Sequence, residues 1–206
     1  MEAERIKEAA GGVKEADGGT ESEAADEYIP TVPKFISSEE KELVSYERGT
    51  AYHRVMECLN YSKAGSTEDI KNEIDRMVRE EKLSLKQAEC IKLKDIDTFA
   101  GSSIGERIKR AYAYGGVKRE QPFVFEYDRQ LVQGVIDLYF IEDGQLVIVD
   151  YKTDRVLRGR AGEDELRRRY SIQLDYYSMA LSQITGLKVK EKVIYSFALG
   201  RSLTVE

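Results

Sequence analysis

The stretch Gln133–Asp154, QGVIDLYFIEDGQLVIVDYKTD, predicts a β-hairpin with charged residues at its open end. Two apolar runs, rich in β-branched and aromatic residues, flank an Asp-Gly dipeptide that favours a two-residue hairpin turn. That turn fixes the pairing of the two strands, and on this register Asp137 lies directly opposite Asp150. Lys152 comes two residues after Asp150 and is therefore expected to project from the same face of the sheet.

The two facing carboxylates need compensation, because like charges directly across a β-ladder repel each other. A shared proton, the Lys152 ammonium alone, or a divalent cation with oxygen ligands would each relieve the repulsion. With a cation, the group has what metal-assisted phosphodiester hydrolysis needs: a Lewis acid, an activated water and a stabilising positive charge. Without a cation, Asp150 only ends a strand at the solvent and pairs with Lys152. The same register predicts four apolar neighbours for the acids, namely Val135, Tyr139, Leu146 and Ile148.

The rest of the chain predicts an α/β (α+β) domain, with helices first and a mixed sheet after them. Apolar residues recur at helical spacing in GTAYHRVMECLNY, and Ser84 with Gln87 forms the pattern of a capping box. Three strand-like runs follow, then a helix from about Glu163 to Thr185, and then a closing hairpin. The predicted fold is a central sheet flanked by helices, with an N-terminal helical portion.

Composition limits the classes of protein that the chain can belong to. It has 206 residues, 41% of them hydrophobic, and no apolar run long enough for a transmembrane helix. No secretory signal is expected, and two cysteines in separate helical patterns argue against a disulfide framework or an iron–sulfur cluster. A cytoplasmic location without a membrane partner is therefore predicted. The chain also has no Walker A loop and no GxGxxG, so no bound nucleotide is expected.

The negative charge is concentrated at the N-terminus. Residues 1–28 contain nine acids and three bases, which gives −6, the net charge of the whole chain, so that residues 29–206 are neutral. Because residues 1–28 have few large apolar side chains, we predict a disordered acidic linker or tail. Residues 29–206 are predicted to form a single domain, with a transition at 29–48 where Pro30 and Pro33 interrupt regular structure.

Several motifs in order resemble the PD-(D/E)XK nuclease superfamily. QGVIDLYF and LVIVDYKTD supply the first acid and the D-x-K element, and RGTAYHRVME supplies an early helical histidine. YSIQLDYYSMAL supplies a Gln-x-x-x-Tyr element on the following helix, a combination typical of the RecB-like branch. With REQPF and FAGSSIGERIKRA, the chain is similar to the C-terminal nuclease domains of the AddA type, found in bacterial helicase–nucleases, over roughly residues 46–206.

The resemblance implies a metal centre in this chain. Asp137 and Asp150 would bind Mg²⁺ or Mn²⁺, with the Tyr151 carbonyl and His53 as further ligands. Lys152 would orient or activate the attacking water, which makes Asp137, Asp150 and Lys152 the predicted catalytic residues. His53 lies beside an apolar helical stripe, and a histidine in that position is more often at the boundary of the core than a metal ligand. The family pattern reverses this preference.

The resemblance also implies residues that contact or position the substrate. Gln173 and Tyr177 share a helix face one turn apart and would position the DNA strand and the active-site residues. Tyr177 also belongs to an apolar stripe, so a core position explains it equally well. Glu120 would support the site or contact DNA. Arg155 begins an arginine-rich segment after the D-x-K strand. These arginines either contact phosphates or form a solvated surface, and the sequence is compatible with both interpretations.

The resulting functional hypothesis is a metal-dependent deoxyribonuclease domain, an exonuclease acting on strands delivered by a helicase during double-strand-break repair. Its expected partners are an AddB-type second subunit, the parent helicase domain, and DNA as single strands or duplex ends. One alternative is a non-catalytic DNA-binding module that retains the fold, although the three intact charges Asp137, Asp150 and Lys152 argue against it. The other alternative is a stand-alone endonuclease.

Overall fold

The structure is a computed structural model that describes the backbone of residues 38–206 and the side chains of residues 46–206. The predicted tail at 1–28 and both prolines of the predicted transition lie outside the described residues. The first helix begins at Ser38, so it takes in about half of the segment 29–48 in which we expected no regular structure.

The predicted order of elements is confirmed: helices, three strands, a long helix and two strands. The described residues contain a 3₁₀ turn at Tyr61–Lys63 and the following helices and strands: α1 (Ser38–Cys58), α2 (Thr67–Arg79), α3 (Leu85–Glu89), α4 (Leu93–Ala100), α5 (Ser103–Ala113), β1 (Val117–Tyr127), β2 (Gln130–Glu142), β3 (Gln145–Lys152), α6 (Arg160–Thr185), β4 (Val189–Ser196) and β5 (Arg201–Val205).

Local chemistry explains where several elements begin and end. Ser84 and Gln87 form the predicted capping box at the start of α3. Gly186 ends α6 in the left-handed conformation that glycine adopts without steric cost. The Asp143-Gly144 turn between β2 and β3 has positive φ at both residues, as the two-residue hairpin requires. None of the helices among residues 38–206 is both long and apolar enough to cross a membrane.

The five strands form one mixed sheet in the order β1-β2-β3-β4-β5. The β3–β4 pair is parallel, and the other three pairs are antiparallel. Since α6 connects the two parallel strands, it serves as the crossover helix and packs on the sheet. The mixed α/β architecture predicted from the sequence is thus confirmed.

Each face of the sheet has its own hydrophobic core. Helices α1 to α5 cover one face, where Leu138, Val149 and Tyr151 join the helical side chains. Helix α6 covers the other face, where Ile148 and Ile194 meet apolar residues of the helix. Burial on both faces explains why β3 is a nearly continuous apolar run, and why the charges stand at its end.

The predicted hairpin register is confirmed from the turn as far as the pair Leu138–Val149. The ladder then stops, one pair short of the predicted pairing of Asp137 with Asp150. Instead, the Tyr151 N–H donates a 2.7 Å hydrogen bond to Asp137 Oδ2, so a side chain takes the place of a backbone acceptor. The acid is therefore held by the backbone of β3.

The outer part of the β1–β2 hairpin changes faces at Glu120 and Asp137, a feature that we call the face reversal. On β1, Val117 packs with the core of α1 to α5, whereas Phe123 packs under α6, although strict alternation would place both on one side. Between them Glu120 has φ +45°, a left-handed conformation that a glutamate rarely adopts. The pairing of the two strands keeps its register through this point.

Strand β2 reverses at the matching position. Leu138 belongs to the core of α1 to α5, and Ile136 belongs to the core under α6. The prediction that Val135 shares the buried face of Asp137 is therefore wrong, and Val135 is 43% exposed. Tyr139, Leu146 and Ile148 do lie buried under α6, as predicted.

Candidate active site

The face reversal brings two carboxylates and an imidazole together. His53, on α1, places its Nδ1 atom 3.3 Å from Asp137 Oδ1. Glu120 joins them, and one ligand atom from each of the three side chains lies within 4.8 Å of the others. Asp137 is buried, whereas His53 and Glu120 are partly exposed, so the group remains accessible to solvent.

Asp150 and Lys152 stand beside this group at the end of β3. Asp150 is only 1% exposed, and its Oδ2 lies 2.8 Å from the Lys152 ammonium. This ion pair is the contact of Oδ2 with the protein, and the oxygen forms no regular hydrogen bond among the described residues. A buried carboxylate with so few donors can still accept a further ligand that the protein itself does not supply.

Helix α6 holds Lys152 from the other side. The Lys152 ammonium donates a 3.1 Å hydrogen bond to Gln173 Oε1, and Gln173 Nε2 donates a 2.7 Å bond to the Tyr177 hydroxyl. The ammonium also lies 4.1 Å from the ring centroid of Tyr170. The Tyr170 hydroxyl in turn donates to Asp154 at 2.9 Å. Lys152 is therefore restrained by an acid, an amide and an aromatic face.

The backbone of Tyr151 contacts Asp137 and follows Asp150, and its side chain packs in the core of α1 to α5. Its ring packs edge-on against Phe99 and His53, and its hydroxyl lies 3.3 Å from that of Tyr61. These contacts hold the end of β3 against α1 and so help to set the positions of Asp150 and Lys152.

Two acids of the site, Glu120 and Asp150, have raised pKa values. Burial, with the charge of Asp137, raises the pKa of Glu120 to about 7. The same two causes raise the pKa of Asp150, although the nearby Lys152 opposes them. Burial would lower the pKa of His53, but the hydrogen bond and charge of Asp137 outweigh it, so that this pKa is raised. The carboxylates of the site are thus close together and poorly solvated, and a bound cation would relieve their repulsion.

The donor set fits a hard divalent cation. Carboxylate oxygens are the ligands that Mg²⁺ and Mn²⁺ prefer, and an imidazole is acceptable to Mn²⁺ in particular. His53, Glu120 and Asp137 supply such atoms, and Oδ2 of Asp150, which is ion-paired with Lys152, is a fourth candidate. The two cysteines, Cys58 and Cys90, are free thiols on separate elements.

Comparison with known proteins identifies the family of this chain. The family model of the PD-(D/E)XK nuclease superfamily matches residues 27–203. The chain belongs to this superfamily. The resemblance read from its D-x-K and Gln-x-x-x-Tyr elements is thereby confirmed.

The relatives of this PD-(D/E)XK chain include the AddA subunits of bacterial ATP-dependent helicase/nucleases. The AddA protein of Lachnoclostridium phytofermentans is 32% identical, over 86% of the chain and 16% of the relative. That of Thermoanaerobacter sp. (strain X514) is 40% identical, over 83% of the chain and 15% of the relative. The chain thus spans about a sixth of the length of these relatives. A solved structure from Eubacterium rectale, described as a putative exonuclease, covers 79% of the chain and 59% of its own length, at 16% identity and a TM-score of 0.43, too remote to support a conclusion.

The structure brings most of the predicted site residues of this superfamily member together. One group contains Asp137, His53 and Glu120. Beside it, an ion pair and two hydrogen bonds connect Asp150, Lys152, Gln173 and Tyr177 in series. Arg155 belongs to neither group: its side chain is exposed and forms no ion pair among residues 46–206. The individual roles of these residues stay predictions.

Two features of the site were missed in the sequence. Tyr170 looked like one more member of the apolar stripe of α6, but its ring faces the Lys152 ammonium. Tyr170 lies three residues before Gln173 on the same helical face, but this spacing does not distinguish a site residue from a core residue. Glu120 was expected to support the site or contact DNA, and the structure puts it among the candidate metal ligands. Its left-handed backbone could not be inferred, because a glutamate in a strand gives no sign of a positive φ.

Proposed function

We propose that this chain is a metal-dependent deoxyribonuclease domain that hydrolyses phosphodiester bonds. The observation that supports it most is the cation-ready group of His53, Glu120 and Asp137, next to a lysine restrained by Asp150 and Gln173. A binding module has no use for carboxylates at a phosphate site, since they repel the ligand. The same carboxylates become useful when a cation lies between them and the phosphate.

Asp137 and Asp150 hold the cation in this proposal, with His53 and the Tyr151 carbonyl as further ligands and Glu120 as an additional donor. When bound, Mg²⁺ or Mn²⁺ supplies a Lewis acid and lowers the pKa of water. The Tyr151 N–H fixes one oxygen of Asp137, so this carboxylate is oriented before any ligand arrives. Such preorganisation is what distinguishes a ligand set from a chance cluster of acids.

Lys152 is placed to orient the attacking water and to stabilise the charge that develops on the phosphate. The oxygen of water forms a bond to phosphorus as the bond to the leaving oxygen breaks; the water loses a proton to the solvent, and the leaving oxygen takes one up from the solvent. Gln173 and Tyr177 keep the ammonium directed at the site through their two hydrogen bonds. Arg155 is exposed beyond the end of β3 and would contact a backbone phosphate of the strand.

The relatives suggest the setting in which the domain works. Their description as parts of an ATP-dependent helicase/nuclease fits a nuclease domain that receives strands from a helicase in the same chain. We therefore propose an exonuclease that digests single-stranded DNA delivered during double-strand-break repair. An AddB-type second subunit is the expected partner of the parent protein.

The first experiment is a cleavage assay with the full 206-residue chain. End-labelled linear and circular single-stranded DNA would be incubated with Mg²⁺, with Mn²⁺ and with EDTA. We expect metal-dependent cleavage of the linear strand and sparing of the circle, because an exonuclease needs an end. Rapid cleavage of the circle would instead identify an endonuclease.

Matched variants assign the activity to the site. Asp150→Asn should abolish cleavage, whereas Asp175→Asn, at an α6 carboxylate that pairs with Lys192, should leave it intact. Absence of cleavage by the unaltered chain with both metals, together with no metal binding by calorimetry, would overturn the proposal in favour of a module that only binds DNA.

A further inference from the structure

An open groove runs between the β1–β2 hairpin and α6, next to the candidate active site. Its volume is about 410 Å³, and Phe123 and Gly134 lie on the hairpin side. Ile172, Tyr176 and Gln173 lie on the helix side. Of the residues that line it, only Gln173 and Tyr177 have a role in the proposed cleavage reaction.

The walls of the groove are apolar and aromatic although the groove is open to solvent. Ile172 is 65% exposed, which is unusual for an isoleucine that lines a concave surface. The Phe123 ring lies across Gly134, where a Cβ atom would come within 2.9 Å of the ring. Glycine at residue 134 therefore lets the Phe123 ring, which is only 5% exposed, pack closely against the strand that lines the groove.

The groove is continuous with the residues that hold Lys152. Phe123 packs edge-on against Tyr177 at 5.6 Å between ring centroids, and the Tyr177 hydroxyl accepts the bond from Gln173. Gln173 lines the groove and also accepts a hydrogen bond from the Lys152 ammonium through its amide oxygen. A ligand in the groove would thus lie one side chain away from the reacting phosphate.

We propose that the groove binds a nucleobase of the substrate strand, one nucleotide away from the scissile phosphate. The inference rests on the proposed function, since it takes the ligand to be the strand that is cleaved. A base offers flat apolar faces that the exposed Ile172 and the partly exposed Tyr176 can cover, and single-strand sites use such surfaces without sequence preference. Arg169 is the one cation among the lining residues. Its guanidinium pairs with Asp154 and Glu165, and its remaining N–H donors suit the adjoining phosphate.

A protein segment suits the groove less well than a base. Any segment docked there would cover Gln173 and obstruct the approach to Lys152, which would inhibit the nuclease. A base that arrives with its own strand covers the same surface only while the substrate is bound. Duplex DNA is also disfavoured, because its bases are stacked inside the helix and cannot enter a side groove.

The test measures binding in EDTA, where no cleavage is needed. Fluorescence anisotropy would compare a labelled thymidine octamer with an octamer of the same length that has abasic sugars throughout. We expect the unaltered chain to bind the base-bearing strand at least about fivefold more tightly, the lower range for one stacked base. Ile172→Ser should weaken binding of the base-bearing strand about threefold or more and leave the abasic strand unchanged.

Ile184→Ser is the matched control, because Ile184 is also an exposed isoleucine of α6, at 54%, and does not line the groove. This variant should bind both octamers like the unaltered chain. Tyr176→Leu, which keeps an apolar side chain but loses the ring, should reduce the preference for bases as Ile172→Ser does.

The possible failures are distinguishable. Equal binding of both octamers by the unaltered chain, or an equal loss for both octamers in Ile172→Ser, overturns the inference while leaving the nuclease proposal intact. Normal base preference in Ile172→Ser would also overturn the inference that a nucleobase binds there, and a protein partner would then be the better candidate for the groove. A chain that shows the base preference but neither cleaves DNA with either metal nor binds them loses the proposed function, while the groove remains a base-binding site.

Discussion

At the scale of single residues, Lys152 is the most constrained charge of the candidate site. Its ammonium lies near Asp150, donates to Gln173 and faces the ring of Tyr170. A lysine side chain has many rotamers, and each contact removes some of them before the substrate arrives. The aromatic contact restrains the ammonium without neutralising it, so the charge remains available for a phosphate.

Tyr170 is therefore predicted to act as a positioning residue. Tyr170→Phe keeps the ring and loses only the bond to Asp154, and we expect it to retain most of the activity. Tyr170→Leu removes the ring and should lower kcat about tenfold with little change in KM, within the range of a partly desolvated cation–π contact. Steady-state kinetics on linear single-stranded DNA measures both constants.

The matched control for this prediction is Tyr114→Leu, since Tyr114 is 91% exposed and lies away from the site. The control should have unchanged kinetics. Equal losses in Tyr170→Phe and Tyr170→Leu would show that the hydroxyl, and not the ring, carries the effect.

Asp150 is predicted to reduce the stability of the metal-free protein at neutral and alkaline pH. Its pKa in the fold is raised above the unfolded value by burial and by Asp137. For an acid with a raised pKa, protonation favours the native state, and this advantage is lost as the pH rises from about 4 through the raised pKa. Asp150→Asn should therefore melt at or above the temperature of the unaltered protein at pH 8, although it leaves Lys152 without its partner.

Thermal melts at pH 5 and pH 8 check this expectation. The melting temperature of the variant relative to the unaltered protein should be higher at pH 8 than at pH 5. Added Mn²⁺ should stabilise the unaltered protein and not the variant, since a ligand that binds only the native state raises its stability. A large loss of melting temperature at pH 8 would show that Asp150 is needed for folding.

The sequence was informative about single residues where chemistry and spacing coincide. Asp137, Asp150 and Lys152 are charges in apolar strands, and they stand out because a buried strand position ordinarily holds a hydrophobic residue. Tyr170 could not be separated from core tyrosines, because an aromatic residue in an apolar stripe fits both roles. Its contact with Lys152 depends on how α6 lies across the sheet, which spacing along the chain does not encode.

At the scale of elements, the hairpin register was predictable and the face reversal was not. The Asp143-Gly144 turn determines the pairing of five residue pairs, because a two-residue turn leaves one register. The face reversal instead depends on the positive φ of Glu120, and glutamate gives no local signal for that conformation. The reversal is nevertheless what turns Glu120 and Asp137 toward His53.

The left-handed backbone of Glu120 predicts a measurable difference between two variants. Glu120→Gly and Glu120→Ala both remove the carboxylate, so both should bind Mn²⁺ more weakly by calorimetry. Only glycine adopts a positive φ without a steric penalty, so Glu120→Gly should be the more stable of the two by about 1 kcal/mol. For a domain of this size that difference corresponds to roughly 2–4 °C in melting temperature.

The pair of variants controls for the lost charge, since neither retains it. Equal stabilities would mean that the face reversal relaxes once the carboxylate is gone. Unchanged Mn²⁺ affinity in both variants would remove Glu120 from the candidate ligands and return it to the supporting role expected from the sequence.

At the scale of the whole molecule, charge is unevenly divided along the chain. Residues 1–28 contribute −6, with nine acids against three bases, and residues 29–206 are neutral. A neutral body with a locally basic surface can bind DNA, whereas six extra negative charges on the same chain repel it at long range. The whole-chain charge therefore gives a misleading indication of whether the domain binds an anion.

We accordingly predict that the charge of residues 1–28 weakens DNA binding at low salt. Replacing its nine acids by the corresponding amides should tighten binding of a labelled single strand about three- to tenfold at about 50 mM salt. The difference should vanish near 1 M salt, where the screening length falls to about 3 Å. Deleting residues 1–28 leaves a neutral chain, whereas replacing the acids leaves one with three uncompensated bases. Tighter binding in both variants, with the larger gain after replacement, would identify charge as the cause, whereas a gain confined to the deletion would point to the bulk of the segment.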